Sequence, residues 1–255
     1  MATVFVTGSA DGIGRQTALM IAEAGHQVVL HARSDERARA AAAAVPAAAV
    51  VVGDLASLAQ TRALAEAAAD HGPFDAVVHN AGVEGSRRRT VTEDGLERTF
   101  QVNVLAPYVL TALMPLPRRL IYLSSGLAWN GVIDLADLQR ERRRWNGGAA
   151  YSDSKLCDLA LAFAVARRRP SVYSNAVCPG WVRSRMGGPH APTDLATGAA
   201  TQVWLATSDE PAALVTGRYW RHMNLLEAPP GAHDAELQDG LLTACAELSG
   251  VAMPD

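Results

Sequence analysis

Six short apolar runs, each followed by a segment of helical length, order this chain from its third residue onward. They are Thr3 to Thr7, Val28 to Ala32, Val50 to Val52, Ala76 to His79, Leu120 to Leu123 and Ser174 to Val177. Runs this short, without polar alternation, belong to strands buried on both faces, and their alternation with helices implies a parallel sheet with right-handed crossovers. The predicted fold is therefore α/β and doubly wound. The intervening helices are read at Gly12 to Ala24, Asp35 to Val45, Ser57 to His71, Thr92 to Leu113, Ala149 to Arg168, Thr193 to Thr207 and Asp234 to Leu248. A length of 255 residues with 49% hydrophobic content suits one domain spanning 1–255, and neither a repeat nor a linker interrupts it. The Ala-rich stretch Ala38 to Ala49 has helix-forming composition and stops at Pro46, so it reads as a crossover helix. Two stretches break the rhythm: an insertion at about 127–148 and a loop at about 184–193, the second rich in Gly, Pro and His. Long excursions in a compact domain are usually functional lids or surface insertions.

The charge balance excludes some partners. A net charge of −3 offers no basic field for a polyanion, so no nucleic acid is expected as a partner. Cys157, Cys178 and Cys245 are odd in number and widely spaced, which fits neither a disulfide framework nor a zinc site; no metal is expected, and reduced thiols suit a cytoplasmic protein. No apolar run reaches the roughly 20 residues that cross a bilayer, and no basic region precedes the first strand, so neither a membrane partner nor export is expected. Of the 23 basic residues, 22 are arginine and one, Lys155, is lysine. Where arginine stands in for lysine at nearly every site that wants only a positive charge, a surviving lysine marks a site that needs an ammonium.

After the first strand comes Thr7-Gly8-Ser9-Ala10-Asp11-Gly12-Ile13-Gly14, leading into the amphipathic run Arg15 to Ala24. Gly8, Gly12 and Gly14 let the backbone turn tightly and approach a pyrophosphate, while the start of the helix offers free N–H groups and a partial positive charge, and Ser9 and Ile13 of the same turn are cofactor-binding candidates. This is a dinucleotide cradle, with the spacing G-x-x-x-G-x-G rather than G-x-G-x-x-G.

Tyr151 and Lys155 stand four apart in a predicted helix, so their side chains share a face. A phenol of pKa about 10 needs about 4 kcal/mol to titrate near neutrality, at about 1.36 kcal/mol per unit. A unit charge at about 4 Å and an effective dielectric of about 20 supplies roughly that much. One ammonium, helped by an oxidised nicotinamide, would make Tyr151 a general acid/base.

The turn Thr7 to Gly14, Asn80-Ala81-Gly82 after the fourth strand, Asn103, Ser124-Ser125 after the fifth, Tyr151-x-x-x-Lys155 and Pro179-Gly180 stand in the order seen in short-chain dehydrogenases/reductases. The chain resembles that family from about residue 3 to 185, and the resemblance implies a Rossmann-type sheet that binds NAD(P). It implies that Tyr151 exchanges a proton with the substrate oxygen, that Ser125 hydrogen-bonds that oxygen, that Lys155 holds the nicotinamide ribose, and that Asn103 anchors a water chain behind it. Asn80, Ala81 and Gly82 would lie against the cofactor, Asp54 and Leu55 against the adenine, and Pro179, Gly180 and Val182 around the nicotinamide, with Ser184 where a threonine is usual. The bland alternatives are a turn residue for Asn80 and a helix cap for Asp54.

NAD-specific members of the family end the second strand in an acid. Here Ala32 stands in that place and Arg33 follows, which suits a 2′-phosphate, with Ser34 as a helper. NADP is favoured, and NAD stays open because Asp35 and Glu36 are near and position 11 is Asp. Ser125 and Tyr151 are 26 residues apart, a width that resembles the retinol-dehydrogenase-like subgroup. In the insertion that accounts for it, Trp129, Val132, Ile133 and Trp145 either line an apolar substrate cleft or pack on their host. The expected activity is hydride transfer between nicotinamide and a carbonyl or secondary alcohol of a small, apolar molecule. A redox sensor, isomerase or dehydratase on the same fold is the alternative. The family's habit of pairing helices across subunits implies a homodimer or homotetramer through Thr92 to Leu113 and Ala149 to Arg168.

Overall fold

In the computed structural model, which describes residues 1–254, the strands β1(Thr3–Val6), β2(Gln27–Ala32), β3(Ala49–Val52), β4(Ala76–His79), β5(Arg119–Leu123), β6(Tyr173–Val177), β7(Tyr219–Arg221) and β8(Asn224–Leu226) form one sheet. Residue 255 of the single-domain reading lies outside the described residues. The order is β3-β2-β1-β4-β5-β6-β7-β8, with every neighbouring pair parallel except the antiparallel hairpin β7–β8. The sheet grows outward from β1 in one direction through β2 and β3 and in the other from β4. This leaves a topological switch between β1 and β4, where open α/β sheets place their ligands.

The absence of polar alternation is explained by the two cores. Phe5, Val29, Val77 and Leu120 point to one face of the sheet, and Val4, Val6, Leu30, Val78 and Ile121 to the other. The helices that cover these faces are α1(Gly12–Glu23), α2(Asp35–Ala44), α3(Leu58–Ala69), α4(Arg98–Phe100), α5(Ala106–Leu113), α6(Gly147–Arg168), α7(Leu195–Thr207), α8(Pro230–His233) and α9(Ala235–Ser249). Caps set several starts: Ser57 accepts from Gln60 N–H, Asn146 from Ala149 N–H and Asp194 from Thr197 N–H.

The helix read from Thr92 starts at Arg98. Asp94-Gly95 makes a tight turn instead, closed by Thr92 N–H to Leu96 C=O, with Gly95 at φ +78° and Glu97 capping the amides of Thr99 and Phe100 at 2.8 Å. Between α4 and α5 the helix widens into a π-helical turn, Gln101–Leu105, which holds Asn103. The β7–β8 hairpin and α8 went unread in the sequence. Its strands are three residues long, and its turn uses His222 and Met223 at φ +49° and +59° where glycine or asparagine would have been the signal.

Every residue from Ser152 to Ala166 of α6 is buried within the single chain, because α8 and α9 pack over the helix opposite β5 and β6. The subunit pairing expected through Ala149 to Arg168 therefore has no free face on this stretch; the chain's own carboxyl-terminal helices cover it. The insertion opens with a 3₁₀ turn, Gly126–Asn130, and is pinned by ion pairs. Arg140 meets Asp153 at 2.8 Å, and Arg143 meets Asp137 at 3.0 Å and Asp153 at 3.4 Å. Asp137 accepts three backbone amides besides Arg143, and these hold its carboxyl down at about 2.

Candidate active site

The carboxyl ends of β1, β2, β3, β4, β5 and β6 open onto one edge of the sheet, and every sequence-predicted site residue except those of α6 and the π-turn follows one of these ends. At the switch point the turn Gly8–Gly14 is locked to β4. Asn80 Nδ2 donates to the carbonyls of Thr7 at 2.8 Å and Gly8 at 3.3 Å, and Thr7 Oγ1 accepts the amides of Asn80 and Ala81 at 3.0 Å. Asn80 is thus a strut for the turn. A Cβ on Gly14 would lie 2.3 Å from Asn80 Nδ2 and 2.4 Å from Gly8 O, so only glycine fits where helix meets turn. Asp11 caps α1 through the Gly12 amide at 2.8 Å, and the amides of Ile13 and Gly14 find no acceptor among the described residues. Ser9 faces inward, its hydroxyl donating to Val6 O and accepting the His31 amide, both at 2.9 Å.

His31 was not singled out in the sequence, yet it joins three of the strand ends. Its Nδ1 accepts the Gly8 amide at 2.9 Å, so its hydrogen is on Nε2, which donates to Gly53 O at 2.8 Å. Burial pushes the imidazole below its ordinary pKa and keeps it neutral. Ala32 ends β2 and is buried; Arg33 is exposed and forms no ion pair with the described residues. Asp35 and Glu36 lie in the first turn of α2, past the strand end, and Ser34 is spent as that helix's cap. Asp11 holds Arg37 at 3.4 Å and Arg185 at 3.6 Å, so two further arginines stand at the turn. Asp54 makes a local turn, accepting the Ala56 amide at 3.0 Å, and the Leu55 side chain is buried in the core, leaving its backbone to face any ligand.

The second group gathers around α6. Lys155 is buried; its Nζ donates to Leu123 O at 2.8 Å and Asp158 Oδ2 at 2.7 Å, and lies 5.6 Å from the centre of the Tyr151 ring. Beside it Gly82 presents backbone only, and a Cβ there would sit 3.5 Å from both Lys155 Nζ and Asn103 Oδ1. Asn103 is fully committed: Oδ1 accepts the Val83 amide at 2.8 Å, and Nδ2 donates to Val83 O at 3.0 Å and Ser154 Oγ at 2.9 Å. Ser125 caps the 3₁₀ turn through the Leu127 amide at 3.2 Å and faces the Tyr151 phenol closely enough to favour its ionised form.

The net direction for Tyr151 corrects the arithmetic made on the ammonium alone. Burial pushes the phenol above its ordinary pKa, Lys155 pulls it down, and the carboxylates of Asp158 and Glu84 push it up again. The upward push prevails. Asp158 and Glu84 were both missed in the sequence. A carboxylate three residues after the lone lysine was the available signal for the first.

After β6, Pro179-Gly180 turns with Gly180 at φ +87°, and Val182 is buried and bridged to Thr193. His222, from the unread hairpin, reaches Pro179 O at 3.4 Å. Ser184 accepts the Gly187 amide at 3.2 Å, and its Cβ lies 3.8 Å from where a Gly12 Cβ would be, which brings this loop against the first turn. Met186 Sδ stands 3.9 Å from the Tyr151 hydroxyl.

These parts lie at the strand ends around the switch point. Free helix-start amides and a strutted glycine turn suit a pyrophosphate, and a buried ammonium at the far end, with one N–H left after Leu123 O and Asp158 and only the backbone of Gly82 on one side, suits a ribose. A nicotinamide dinucleotide fits the residues present. The family profile described as short chain dehydrogenase matches residues 2–194. The chain is a short-chain dehydrogenase/reductase. It is 41% identical to an uncharacterized oxidoreductase of Emericella nidulans over 100% of this chain and 99% of that one. It is 39% identical to a candidate daunorubicin C-13 ketoreductase of a Streptomyces species, over 97% and 92%. Human retinol dehydrogenase 13 is 33% identical over 99% and 86%, so the resemblance to retinol-dehydrogenase-like members holds. Among solved structures, a metagenomic blue fluorescent protein in complex with NADPH matches with a TM-score of 0.70 and 27% identity, over 86% of this chain and 95% of that one. This short-chain dehydrogenase/reductase is an NAD(P)-dependent oxidoreductase with a Rossmann sheet. No helix of the described residues is long and apolar enough to cross a membrane.

Proposed function

We propose that the protein is an NADP-dependent oxidoreductase that interconverts a carbonyl and a secondary alcohol on a small apolar molecule, with Tyr151 as general acid/base. The observation that carries the reading is the meeting of Ser125, Tyr151 and Lys155 at the end of β5 and the start of α6, beside the backbone of Gly82. The nicotinamide supplies or takes the hydride when bound. Ser125 holds the substrate oxygen, Tyr151 gives or takes its proton, Lys155 anchors the ribose, and Asn103 fixes the loop Gly82–Val83 that faces it. Gly8, Ser9, Gly12, Ile13 and Gly14 cradle the pyrophosphate with Asn80, Ala81 and Gly82. Asp54 and Leu55 border the adenine, and Pro179, Gly180, Val182 and Ser184 frame the nicotinamide.

NADP is supported by the exposed Arg33 directly after Ala32, without an ion pair among the described residues, and by Arg37 and Arg185 near the turn, where they offset Asp11. An apolar substrate is supported by the exposed side chains of Leu127 and Trp129, just after Ser125, and of Trp181 and Met186, just after Gly180. Of the four apolar residues singled out in the insertion, Ile133 packs into the core and Trp145 is half-buried and donates to Ser86 O at 3.0 Å. Trp129 and Val132 stay exposed, so the segments 127–148 and 184–193 form the substrate side of a single domain on this reading. A cytoplasmic location belongs to the same reading. A homodimer or homotetramer would have to use a surface other than the covered stretch of α6, and sedimentation reads the outcome.

The test is Tyr151→Phe. Turnover of a carbonyl panel with NADPH should fall by about 10³-fold or more, while NADPH affinity by fluorescence titration stays within about threefold. A variant that keeps full turnover overturns the assignment.

A further inference from the structure

Lys155 has three N–H donors, and two are spent inside the protein, on Leu123 O and on Asp158 Oδ2. Both charged side chains are buried, and the carboxylate is 2.7 Å from the ammonium while the phenol ring centre is 5.6 Å away. A charge that close, on the same helix one turn further on, offsets part of the field that the ammonium exerts on Tyr151.

We propose that Asp158 is a positioning residue for the reaction: its carboxylate turns the Lys155 ammonium toward β5, neutralises it, and so keeps Tyr151 a phenol, the form that donates a proton to a carbonyl oxygen. The proposal rests on the reading of Tyr151 as general acid/base and gives that chemistry a direction at neutral pH. In reduction the carbonyl carbon gains hydride from the reduced nicotinamide, the C=O π bond opens onto oxygen, and that oxygen takes the Tyr151 proton. The phenolate regains a proton from solvent. An enzyme poised for this step carries the phenol before each turnover, and oxidation of the alcohol needs the phenolate and rises only toward alkaline pH.

The surroundings agree with this bias. On α6, Cys157 is buried with its thiol well above the ordinary pKa, so it adds no charge. From β5, Tyr122 is a buried phenol pushed above its ordinary range, in hydrogen-bond contact with Thr111. From β4, His79 is held neutral by burial at about 3. Cys245 on α9 is neutral for the same reason. Glu84, on the loop after β4, adds a second carboxylate near Tyr151. Burial raises the Asp158 carboxyl and Lys155 pulls it back, while burial lowers Lys155 and the carboxylate more than restores it, so each charge at 2.7 Å favours the other. Nothing on these elements besides Lys155 supplies positive charge to the phenol.

The experiment is an ultraviolet titration of the Tyr151 phenolate in the cofactor-free protein, isolated by subtracting the matching Tyr151→Phe titration. In Asp158→Asn, which keeps an oxygen for Lys155 but not the charge, the midpoint should fall by about one pH unit or more, a tenfold change in ionisation. The alkaline fall of kcat/KM for carbonyl reduction should move to lower pH by the same amount. A second variant covers the case in which a lone ammonium does not fold: Lys155→Met/Asp158→Leu removes the pair whole and should leave the midpoint within about half a unit of wild type. A purely structural Asp158 predicts an unmoved midpoint in Asp158→Asn and a raised one in the double variant, and either result overturns the proposal. Both titrations need no turnover, so they decide on Asp158 even if Tyr151→Phe stays active and the catalytic assignment fails.

Discussion

The two ends of the proposed site would solve the same problem, holding a polyanionic dinucleotide, by opposite means. At the β1–β2 end the fixed parts are backbone and neutral struts, namely the glycine turn, Asn80 and His31, and the charges reach solvent: Arg33 is exposed without an ion pair among the described residues, and Asp11 shares a half-buried Arg37 and an exposed Arg185. Exposed pairs of this kind contribute about 0–1 kcal/mol each, so they steer and select rather than hold the fold. At the β5–α6 end the charges themselves are the fixed parts. Lys155 and Asp158 are sealed from water, and each depends on the other. Breaking such a pair leaves an uncompensated buried charge and costs several kcal/mol. One end should therefore fail by steric change and the other by change of charge.

The largest effect expected at the open end is steric. Gly14→Ala places a methyl 2.4 Å from Gly8 O and 2.3 Å from Asn80 Nδ2, and the first of these is backbone that cannot swing aside. Overpacking of this kind costs about 1–3 kcal/mol, which lowers Tm by roughly 2–12 °C in a chain of this size. Because the displaced turn is the cradle, NADPH affinity should fall by about 100-fold. Calorimetry with and without NADPH reads both, and an unchanged affinity would show that the backbone does not hold the cofactor.

At the closed end, Lys155→Arg keeps the charge and changes its shape. A guanidinium is planar, wider and never neutral, so it can pair with Asp158 but cannot make the same contacts to Leu123 O and the space beside Gly82. The fold should survive, and kcat/KM should fall by about 10²-fold or more. An arginine variant of full activity would return the lone lysine to chance and erase the contrast between the ends.

The same contrast explains what was legible in the sequence. Backbone-built features write themselves into residue types: glycines at fixed spacing marked the turn, apolar runs marked six of the eight strands, and the single lysine beside Tyr151 marked the end proposed as catalytic. What stayed hidden depends on contacts between distant segments. His31 became a strut only once β1, β2 and β3 lay side by side, and His222 came to Pro179 through a hairpin of three-residue strands with no glycine signal. Asp158 lay in plain view at i+3, but its effect depends on burial, which reverses the sign of an argument made from the ammonium alone. The subunit pairing inferred for α6 met a face already covered by α9, a packing partner that no local pattern announces.

The smallest effect belongs to Arg33. It is exposed and forms no ion pair among the described residues, so its loss should leave stability and the Tyr151 titration untouched. A charged hydrogen bond to a 2′-phosphate is worth about 1.5–3 kcal/mol, and solvent exposure places this one at the lower end. Arg33→Ala should then cut the preference for NADPH over NADH by about 10-fold, almost all of it in the NADPH dissociation constant and more at low salt than at high. Arg37, held near the turn by Asp11, gives the natural control: if Arg37→Ala lowers the preference and Arg33→Ala does not, the phosphate is read from α2 rather than from the end of β2. The open end would still select by exposed charge, but by a residue fixed through an ion pair, and the two ends would then differ in degree rather than in kind.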